Sequence, residues 1–432
     1  MTAIATPPFH RSRLATAAAV MLTEAALVRA ALGVVALHVA DDSWLQPNPG
    51  TTAGDHVLGG LVPLLLLVAA IAFYPRVRAG LRATIALSGA FLAGLVSTEA
   101  IHYTRAIGPS GDDYTGLLCI PACLLLVGIG VRTLWVSRRR DDSRWWRYPR
   151  RLLLAGTTAV IAGFVLFPVS IAYVVTHALR AHVPAANLGA PYENVEFRTS
   201  DGLELKGWYI RSENGAAVIS FPGRAGSQSR ARILADHGYG VLLFDRRGEG
   251  ESEGDPNLLG WQGERDIHAA VAYLQTRPDV DPERIGGVGL SVGGEMMIEA
   301  AAESTALKAI VTEGASGRSV RDVSTNGGGS WDELVSTGVL TAATALFTDN
   351  VVPTPLESLV PKMSAAAFFI YGENGQPAEE GANIGFYRAT PSPTKEIWEV
   401  PGSGHMQGIE EQPEEYERRI VAFFDRTLRG DA

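Results

Sequence analysis

Hydrophobic residues occur in long uninterrupted runs over the first 180 positions and in short runs over the rest of the chain. A helix needs about 20 apolar residues to cross the roughly 30 Å of bilayer hydrocarbon. Five runs meet this requirement and predict membrane spans at about 14–40, 57–74, 83–103, 116–136 and 152–176. The first run is too long for the apolar part of a signal peptide and four more follow it, so we expect a retained helix.

Arginine is concentrated in alternate loops between these spans. The loop after the first span contains Asp41, Asp42 and Asp55 and no basic residue, whereas the loop after the fourth contains seven arginines. Loops rich in arginine remain in the cytoplasm. The pattern therefore predicts a multi-pass protein of the cell membrane whose N-terminus is cytoplasmic and whose chain after residue 176 is extracytoplasmic.

Charged residues inside the first span need partners, because a charge in hydrocarbon is costly. We expect Glu24 to face a polar group of another helix or to be protonated, and Arg29 to make a structural contact. Five histidines fall near the predicted outer ends of the spans: His38, His56, His102, His177 and His182. Imidazole groups with nearby carboxylates suit zinc or copper, but no fixed ligand spacing is present, and we assign no metal.

From about residue 186, short β-rich runs alternate with helical segments, which predicts a doubly wound, mostly parallel sheet. Strands are predicted at 195–198, 203–210, 217–221, 240–245, 285–290, 309–312, 367–371 and 395–400. Helices are expected near 227–238, 263–277, 293–304, 380–389 and 413–428. An all-α domain of five transmembrane helices, residues 1–180, would thus precede an α/β domain, residues 186–432.

Charge and cysteine content exclude several classes of function. Residues 1–185 contain 16 Arg, no Lys and 9 acidic residues, a balance of +7, so the remainder carries −16 of the total of −9. An acidic second part argues against nucleic acid as a partner, since phosphate binding needs a basic surface. The two cysteines, Cys119 and Cys123, lie in an apolar run, so neither a disulfide framework nor a Cys-based metal site is expected.

The clearest chemical signal is Gly289-Leu290-Ser291-Val292-Gly293, between a predicted strand and an Ala-rich helix. A nucleophilic serine on such a tight turn needs small residues two positions away on both sides, because larger side chains would collide with the strand and the helix. The bare motif is expected by chance about 0.3 times in a chain of this composition. Because the motif directly follows a predicted apolar strand, it indicates a catalytic serine more strongly than the bare pattern does.

Four further segments accompany this motif: Asp201-Gly202-Leu203 in a hairpin, Pro222-Gly223-Arg224 after the third strand, Asp245 to Ser252 after the fourth, and Gly402-Ser403-Gly404-His405 near the C-terminus. With these segments, residues 186–432 resemble the α/β-hydrolase family. The resemblance implies a serine nucleophile, an acid and a histidine in that chain order, with no cofactor. The membrane part resembles no family that we can name.

The resemblance gives each catalytic role to a residue at the matching position. Ser291 is the expected nucleophile, and His405 is the expected base because it follows the last strand in a Gly-rich loop. His237 and His268 lie on helical stretches instead. The expected oxyanion-hole donors are the backbone N–H groups of Val292 and Arg224.

The acid departs from the family pattern, in which an Asp commonly follows the seventh strand. The segment from Gly372 to Glu380 contains no Asp, so a Glu must serve. We favour Glu380, because it opens the next helix and the loop before it is long enough to bring its carboxylate toward the histidine. Glu379, Glu373 and Glu313 remain alternatives.

The sequence therefore predicts a membrane-anchored serine hydrolase that cleaves an ester, thioester or amide through an acyl-enzyme. An insert at about 317–361 lies where family members carry a cap over the site. Because the domain is tethered at the lipid bilayer, we expect a small-molecule or lipid-like acyl substrate. An acyltransferase with the same catalytic residues and a non-catalytic, ligand-binding membrane sensor remain alternatives, and the sequence predicts no oligomeric state.

Overall fold

The computed structural model describes residues 23–109, 111–137, 144–177, 180, 182–226, 228–326, 329–376 and 380–430. The chain divides into two compact units. The first unit is Met1–Pro47 with Thr52–Ala159, and the second is Asn48–Thr51 with Val160–Ala432. A short piece of the loop between the first two helices therefore belongs to the second unit.

Long apolar helices make up the first unit. They are α1 (Glu24–Ala40), α2 (Val57–Phe73), α3 (Ala79–Ile107), α4 (Asp113–Ser137) and α5 (Arg144–Ile161). A π-helical segment, Ala162–Leu166, continues α5 into α6 (Phe167–His177), which lies in the second unit.

Four segments of the described chain are long and apolar enough to cross a membrane: Ala53–Arg76, Ala79–Ala106, Asp113–Ser137 and Tyr148–His177. They coincide with the second to fifth predicted spans. The first predicted span begins at residue 14, so part of it lies outside the described residues, and α1 is its described part.

The two charged residues of α1 have partners on other helices of the first unit. Glu24 accepts a hydrogen bond of 2.9 Å from the hydroxyl of Tyr74 and also faces Arg82 and Arg132 at 3.5 and 3.6 Å. Arg29 donates to the carbonyl oxygen of Ile71 at 3.2 Å. Both charged residues therefore make structural contacts with other helices, as expected.

Two of the outer histidines, His38 and His56, have separate partners. His38 Nδ1 lies 3.1 Å from the hydroxyl of Thr115, which also donates to Asp41 at 2.8 Å, and His56 Nδ1 lies 3.0 Å from the carbonyl oxygen of Thr52. Within the described ranges, no group of three His, Cys, Asp or Glu side chains could hold a metal ion.

An eight-stranded sheet forms the centre of the second unit, in the order β1-β2-β4-β3-β5-β6-β7-β8. The strands are β1 (Glu193–Arg198), β2 (Glu204–Ile210), β3 (Ala217–Phe221), β4 (Gly240–Phe244), β5 (Ile285–Leu290), β6 (Ala309–Glu313), β7 (Ala366–Gly372) and β8 (Lys395–Val400). The β1–β2 hairpin and the β2–β4 pair are antiparallel, and every other pair is parallel. All eight strands lie within two residues of their predicted bounds.

Helices cover both faces of this sheet. They are α7 (Ser229–Asp236), α8 (Glu264–Gln275), α9 (Val292–Glu303), α10 (Val320–Asn326), α11 (Trp331–Phe347), α12 (Leu356–Leu359), α13 (Ala382–Ala389), α14 (Gly408–Glu411) and α15 (Pro413–Phe424). One apolar cluster joins the sheet to α8 and α9, and a second joins it to α7 and α15. Because both faces are covered, every residue of β3, β4 and β5 is buried, and these strands lack the alternation of polar and apolar residues typical of a half-exposed strand.

The carboxyl ends of the parallel strands lie at one edge of the sheet, where ligands bind in open α/β folds. The turns at this edge carry the predicted catalytic residues that the structure describes: Arg224 after β3, Ser291 and Val292 after β5, Glu313 at the end of β6, Glu373 and Glu380 after β7, and His405 after β8. The insert between β6 and β7, which contains α10, α11 and α12, leaves the sheet at the same edge.

Candidate active site

Ser291 lies on a sharp turn between β5 and α9. Its backbone has φ +48° and ψ −121°, a conformation that non-glycine residues rarely adopt. A Cβ on Gly289 would lie 2.4 Å from the carbonyl oxygen of Gly293, and a Cβ on Gly293 would lie 2.4 Å from the ring of Phe221. The motif therefore has glycine at both places because no larger residue fits, and the turn projects the serine hydroxyl from the sheet edge.

His405 bridges Ser291 and Glu380. Its Nε2 lies 3.1 Å from Ser291 Oγ, and its Nδ1 lies 2.7 Å from Glu380 Oε1. These distances are those of hydrogen bonds. The imidazole thus faces a hydroxyl with one nitrogen and a carboxylate with the other, which is the arrangement in which a histidine can take a proton from serine.

Glu380 is almost fully buried, with 3% of its surface exposed. Its Oε2 accepts a hydrogen bond of 3.2 Å from the backbone N–H of Gly372, at the end of β7. Asn383, one turn later, donates to the carbonyl oxygens of Glu380 and Ala315 at 3.0 and 3.1 Å. These bonds fix the carboxylate beside the histidine.

A glycine at the end of β6 makes room for the imidazole. Gly314 has φ +67°, and a Cβ there would lie 2.8 Å from Cε1 of His405. Any larger residue would displace the ring or strain the backbone. The position was not singled out from the sequence, because only the fold brings it within reach of a residue 91 positions later.

The other carboxylates considered for the acid lie elsewhere. Glu373 Oε2 accepts from the backbone N–H of Gly402 at 2.8 Å and braces the turn after β8. Glu379 lies outside the described residues. Glu313 is buried, and its partners are Arg230, Tyr416 and the backbone of Gly408.

Glu313 is the centre of a buried polar network. Arg230 Nη2 and the Tyr416 hydroxyl donate to its Oε2 at 2.7 and 2.6 Å, and the N–H of Gly408 donates to its Oε1 at 2.8 Å. Arg230 also donates to the carbonyl oxygen of Met406 at 3.3 Å. Burial and the adjacent carboxylate raise the pKa of Tyr416 well above its ordinary value, so its hydroxyl stays protonated. The network holds the chain at Met406 and Gly408, directly after His405.

The turn after β3 places Arg224 beside the site. Gly223 has φ +68°, and a Cβ there would lie 1.9 Å from the carbonyl oxygen of Phe244, so the turn requires glycine. The buried guanidinium of Arg224 donates to Asp245 at 2.5 and 3.1 Å and to Glu251 at 2.9 Å. The side chain is thus engaged in structure. The assignment of the Arg224 and Val292 N–H groups as oxyanion donors remains a prediction.

The comparison with family models adds one match. Residues 175–363 match the model described as X-Pro dipeptidyl-peptidase (S15 family). That range contains strands β1 to β6 and the serine turn, whose order and geometry agree with the expected fold. The second unit has the α/β-hydrolase fold, as predicted from the sequence. The match to a peptidase family model agrees with the predicted class of enzyme, a serine hydrolase.

Individual relatives resemble parts of the hydrolase unit. The chain is 36% identical to the thiohydrolase aneE of Aspergillus aculeatus over 129 residues, 28% of this chain and 41% of that protein. It is 37% identical to the polyketide transferase grgF of Penicillium sp over 120 residues, 26% of this chain and 41% of that protein. The match thus spans about two fifths of the length of these curated relatives.

Among solved structures, the esterase Pf2001 of Pyrococcus furiosus aligns with a TM-score of 0.46 and 22% identity. The alignment covers 58% of this chain and 100% of that one.

The turn after β4 is a structural element of the hydrolase unit. Buried Arg247 donates to Asp266 on α8 at 2.8 and 2.9 Å and to Asp201 in the β1–β2 turn at 2.9 Å. Ser252 Oγ donates to the carbonyl oxygen of Asp245 at 2.6 Å. The glycines and serine of this segment therefore shape a turn in which arginine binds carboxylates of the same chain.

Proposed function

We propose that the protein is a membrane-anchored serine hydrolase that cleaves an ester, thioester or amide through an acyl-enzyme, with Ser291, His405 and Glu380 as its triad. The observation that carries the proposal is the hydrogen-bonded series from Glu380 through His405 to Ser291, at 2.7 and 3.1 Å. Such a series activates a hydroxyl that is otherwise too weak an acid to attack a carbonyl carbon.

In acylation, Ser291 Oγ attacks the carbonyl carbon of the substrate while its proton passes to Nε2 of His405. Glu380 accepts the Nδ1–H bond, which keeps the imidazole in the required tautomer and stabilises the imidazolium as it forms. The backbone N–H groups of Val292 and Arg224 donate to the oxyanion. The imidazolium then protonates the leaving alcohol, thiol or amine, and the acyl group remains on Ser291.

In deacylation, His405 takes a proton from water, whose oxygen attacks the acyl carbon and releases the acid. Transfer to an acceptor other than water needs the same groups. The relatives named thiohydrolase and polyketide transferase support acyl chemistry of both kinds. We favour hydrolysis and expect an acyl-bearing small molecule or lipid-like substrate, and analysis of the products with and without added alcohol distinguishes the two reactions.

Labelling with a fluorophosphonate probe and turnover of a short, water-soluble p-nitrophenyl ester test the triad. Ser291→Ala and His405→Ala should each lower esterase activity by at least about 10³-fold, and the double variant should lose little more, because triad residues act as a unit. Ser291→Ala should also abolish labelling. Additive losses would contradict a triad. A folded wild-type protein that neither reacts with the probe nor turns over the ester would favour the ligand-binding sensor instead.

We also propose that the N-terminus is cytoplasmic and the hydrolase unit extracytoplasmic. The arginine distribution among the loops supports this orientation. A second support is local: Asn48 Nδ2 donates to Asp255 at 3.0 Å, and Gly254 N–H donates to the carbonyl oxygen of Pro49 at 2.9 Å. These contacts lie within the second unit and support a position of the acidic loop after the first helix on the same side of the membrane as the hydrolase unit.

Reporter fusions test the orientation. A periplasmic-type alkaline phosphatase reporter after residue 432 should be active, and the same reporter inserted in the arginine-rich loop at residue 140 should be inactive. Activity in the opposite pattern would overturn the assignment of sides.

A further inference from the structure

The turn directly after β6, residues 314–316 (the β6 turn), makes room for the proposed catalytic base. A Cβ on Gly314 would lie 2.8 Å from Cε1 of His405, so the ring fits because this residue is glycine. The N–H of Gly314 donates to the carbonyl oxygen of Ile370 on β7 at 2.9 Å. The turn thus lies next to the imidazole and is joined to the neighbouring strand.

The β6 turn is also bound to the elbow that carries the nucleophile. The N–H of Ser291 donates to the carbonyl oxygen of Glu313, the residue before the turn, at 2.8 Å. Ser316 Oγ, at the end of the turn, donates to Glu295 at 2.8 Å. Glu295 is buried on α9, one helical turn after the serine. These two bonds give the β6 turn a fixed place relative to Ser291.

The proposed acid reaches the site across a glycine. Glu380 lies eight positions after Gly372, the last residue of β7. A Cβ on Gly375 would lie 2.3 Å from Cγ and 2.8 Å from Oε1 of Glu380, so the glutamate side chain fills the space that a side chain at 375 would need. Besides its bond to His405, the carboxylate accepts the 3.2 Å bond from the N–H of Gly372. Its place beside the imidazole therefore depends on how firmly the backbone at residue 380 is held.

Asn383, in the first turn of α13, joins that backbone to the β6 turn. Its Nδ2 donates to the carbonyl oxygen of Glu380 at 3.0 Å and to that of Ala315, the middle residue of the turn, at 3.1 Å. Asn383 is 0% exposed, and in the described part of the chain its Oδ1 has no hydrogen-bond partner. The amide therefore contributes through its two N–H groups, each of which binds one of the two segments next to the imidazole.

We infer that Asn383 is a positioning residue of the triad, which joins the backbone of Glu380 to the β6 turn and so keeps the carboxylate at its distance from His405. The inference rests on the proposed function of Glu380 as the triad acid. The imidazolium that forms during acylation and deacylation is stabilised by a carboxylate within hydrogen-bond distance. A misplacement of about 1 Å can lower the rate about 10²-fold. A fully buried side chain that touches no substrate thus affects turnover.

Steady-state kinetics with the soluble p-nitrophenyl ester, in detergent, test this role. Asn383→Leu keeps the approximate volume of the side chain and removes both donors. We expect kcat to fall about tenfold to thirtyfold while KM changes less than about twofold, because the stabilisation lost is that of the transition state and not of the bound ester. Asn383→Ser is the second variant should Asn383→Leu not fold. Its single O–H cannot donate to both carbonyl oxygens, so kcat should fall in the same way.

The matched control is Thr390→Ala, directly after the last residue of α13. The Thr390 hydroxyl is also buried and donates to the carbonyl oxygen of Phe386 at 2.8 Å, so the control likewise removes a buried bond to the backbone of this segment. Well below the melting temperatures of both variants, Thr390→Ala should keep kcat within about twofold of wild type. An unchanged kcat in the Asn383 variants, or an equal loss in the control, would overturn the inference.

A double-mutant cycle tests whether Asn383 acts through Glu380. In Glu380→Gln, whose amide cannot stabilise an imidazolium, adding Asn383→Leu should lower kcat by less than about twofold. A residue that only stabilises the fold would lower kcat by the same factor with and without the carboxylate, and that result would refute the positioning role alone. Full activity of Glu380→Gln by itself would instead refute the proposed acid, and the role of Asn383 with it.

Discussion

Strands β6 and β7 end side by side, and each delivers a buried glutamate with entirely different partners. Glu313, the last residue of β6, binds a guanidinium, a tyrosine hydroxyl and one backbone N–H. Glu380, in the loop after β7, binds an imidazole and one backbone N–H. The two carboxylates are 1% and 3% exposed. The two glutamates therefore do not differ in burial. They differ in the groups to which they are hydrogen-bonded.

The partners determine what each carboxylate can do. Arginine remains charged throughout the accessible pH range, so Glu313 is permanently paired and serves to hold the chain at Met406 and Gly408. Histidine changes its charge during a reaction, so a carboxylate beside it can stabilise the charged form at the moment it appears. We therefore propose that Glu313 supports the structure, whereas Glu380 takes part in the reaction.

The largest expected effect is that of Glu380→Gln. The amide keeps the shape of the side chain but cannot stabilise an imidazolium, so esterase activity should fall by about 10²–10⁴-fold while the melting temperature changes little. Steady-state turnover of the soluble ester and thermal unfolding in detergent measure the two quantities. Glu373→Gln, in the same loop but bonded to Gly402, is the matched control and should keep most of the activity. Similar losses in both variants would show that the loop, rather than the carboxylate of Glu380, is what matters.

Glu313→Gln should have the opposite effect, with a large loss of stability and a small loss of activity. Because it leaves the buried guanidinium of Arg230 without its carboxylate, we expect about 3–5 kcal/mol of lost stability, which lowers the melting temperature by about 10 °C in a domain of this size. Well below that temperature, activity should fall far less than in Glu380→Gln. Adding Arg230→Met should restore part of the stability, since the unpaired charge is then gone. An inactive but fully stable Glu313→Gln variant would reverse the two assignments.

The sheet and the serine turn were predictable because their signals are local. Strands buried on both faces appear as apolar runs, and the glycines at 289 and 293 are required by contacts within the turn itself or with the adjacent strand. The membrane helices after the first loop were equally clear from length and apolarity. In each case, residues that are close together in the sequence determine the local structure.

The choice among the glutamates was not predictable with the same certainty. Four of them fit the chain order or the strand ends, and the one that faces His405 depends on the path of the loop from Gly372 to Glu380. Arg230 and Tyr416 lie 83 and 103 positions from Glu313, and no periodicity connects residues so far apart. The contact of Asn383 with Ala315, 68 positions earlier, likewise depends on how distant segments pack.

The inclusion of Asn48–Thr51 in the hydrolase unit has a consequence for biosynthesis. Asn48 and its partner Asp255 are 207 positions apart, and a ribosome that adds about 5–20 residues per second needs roughly 10–40 s to pass from one to the other. During that interval, the ribosome synthesises the four segments that are long and apolar enough to cross a membrane, before the partner of the loop in the hydrolase unit exists. The second unit can therefore complete its folding only by binding a segment that was translated much earlier. An error in the membrane insertion of the first helices would also affect the folding of the hydrolase unit.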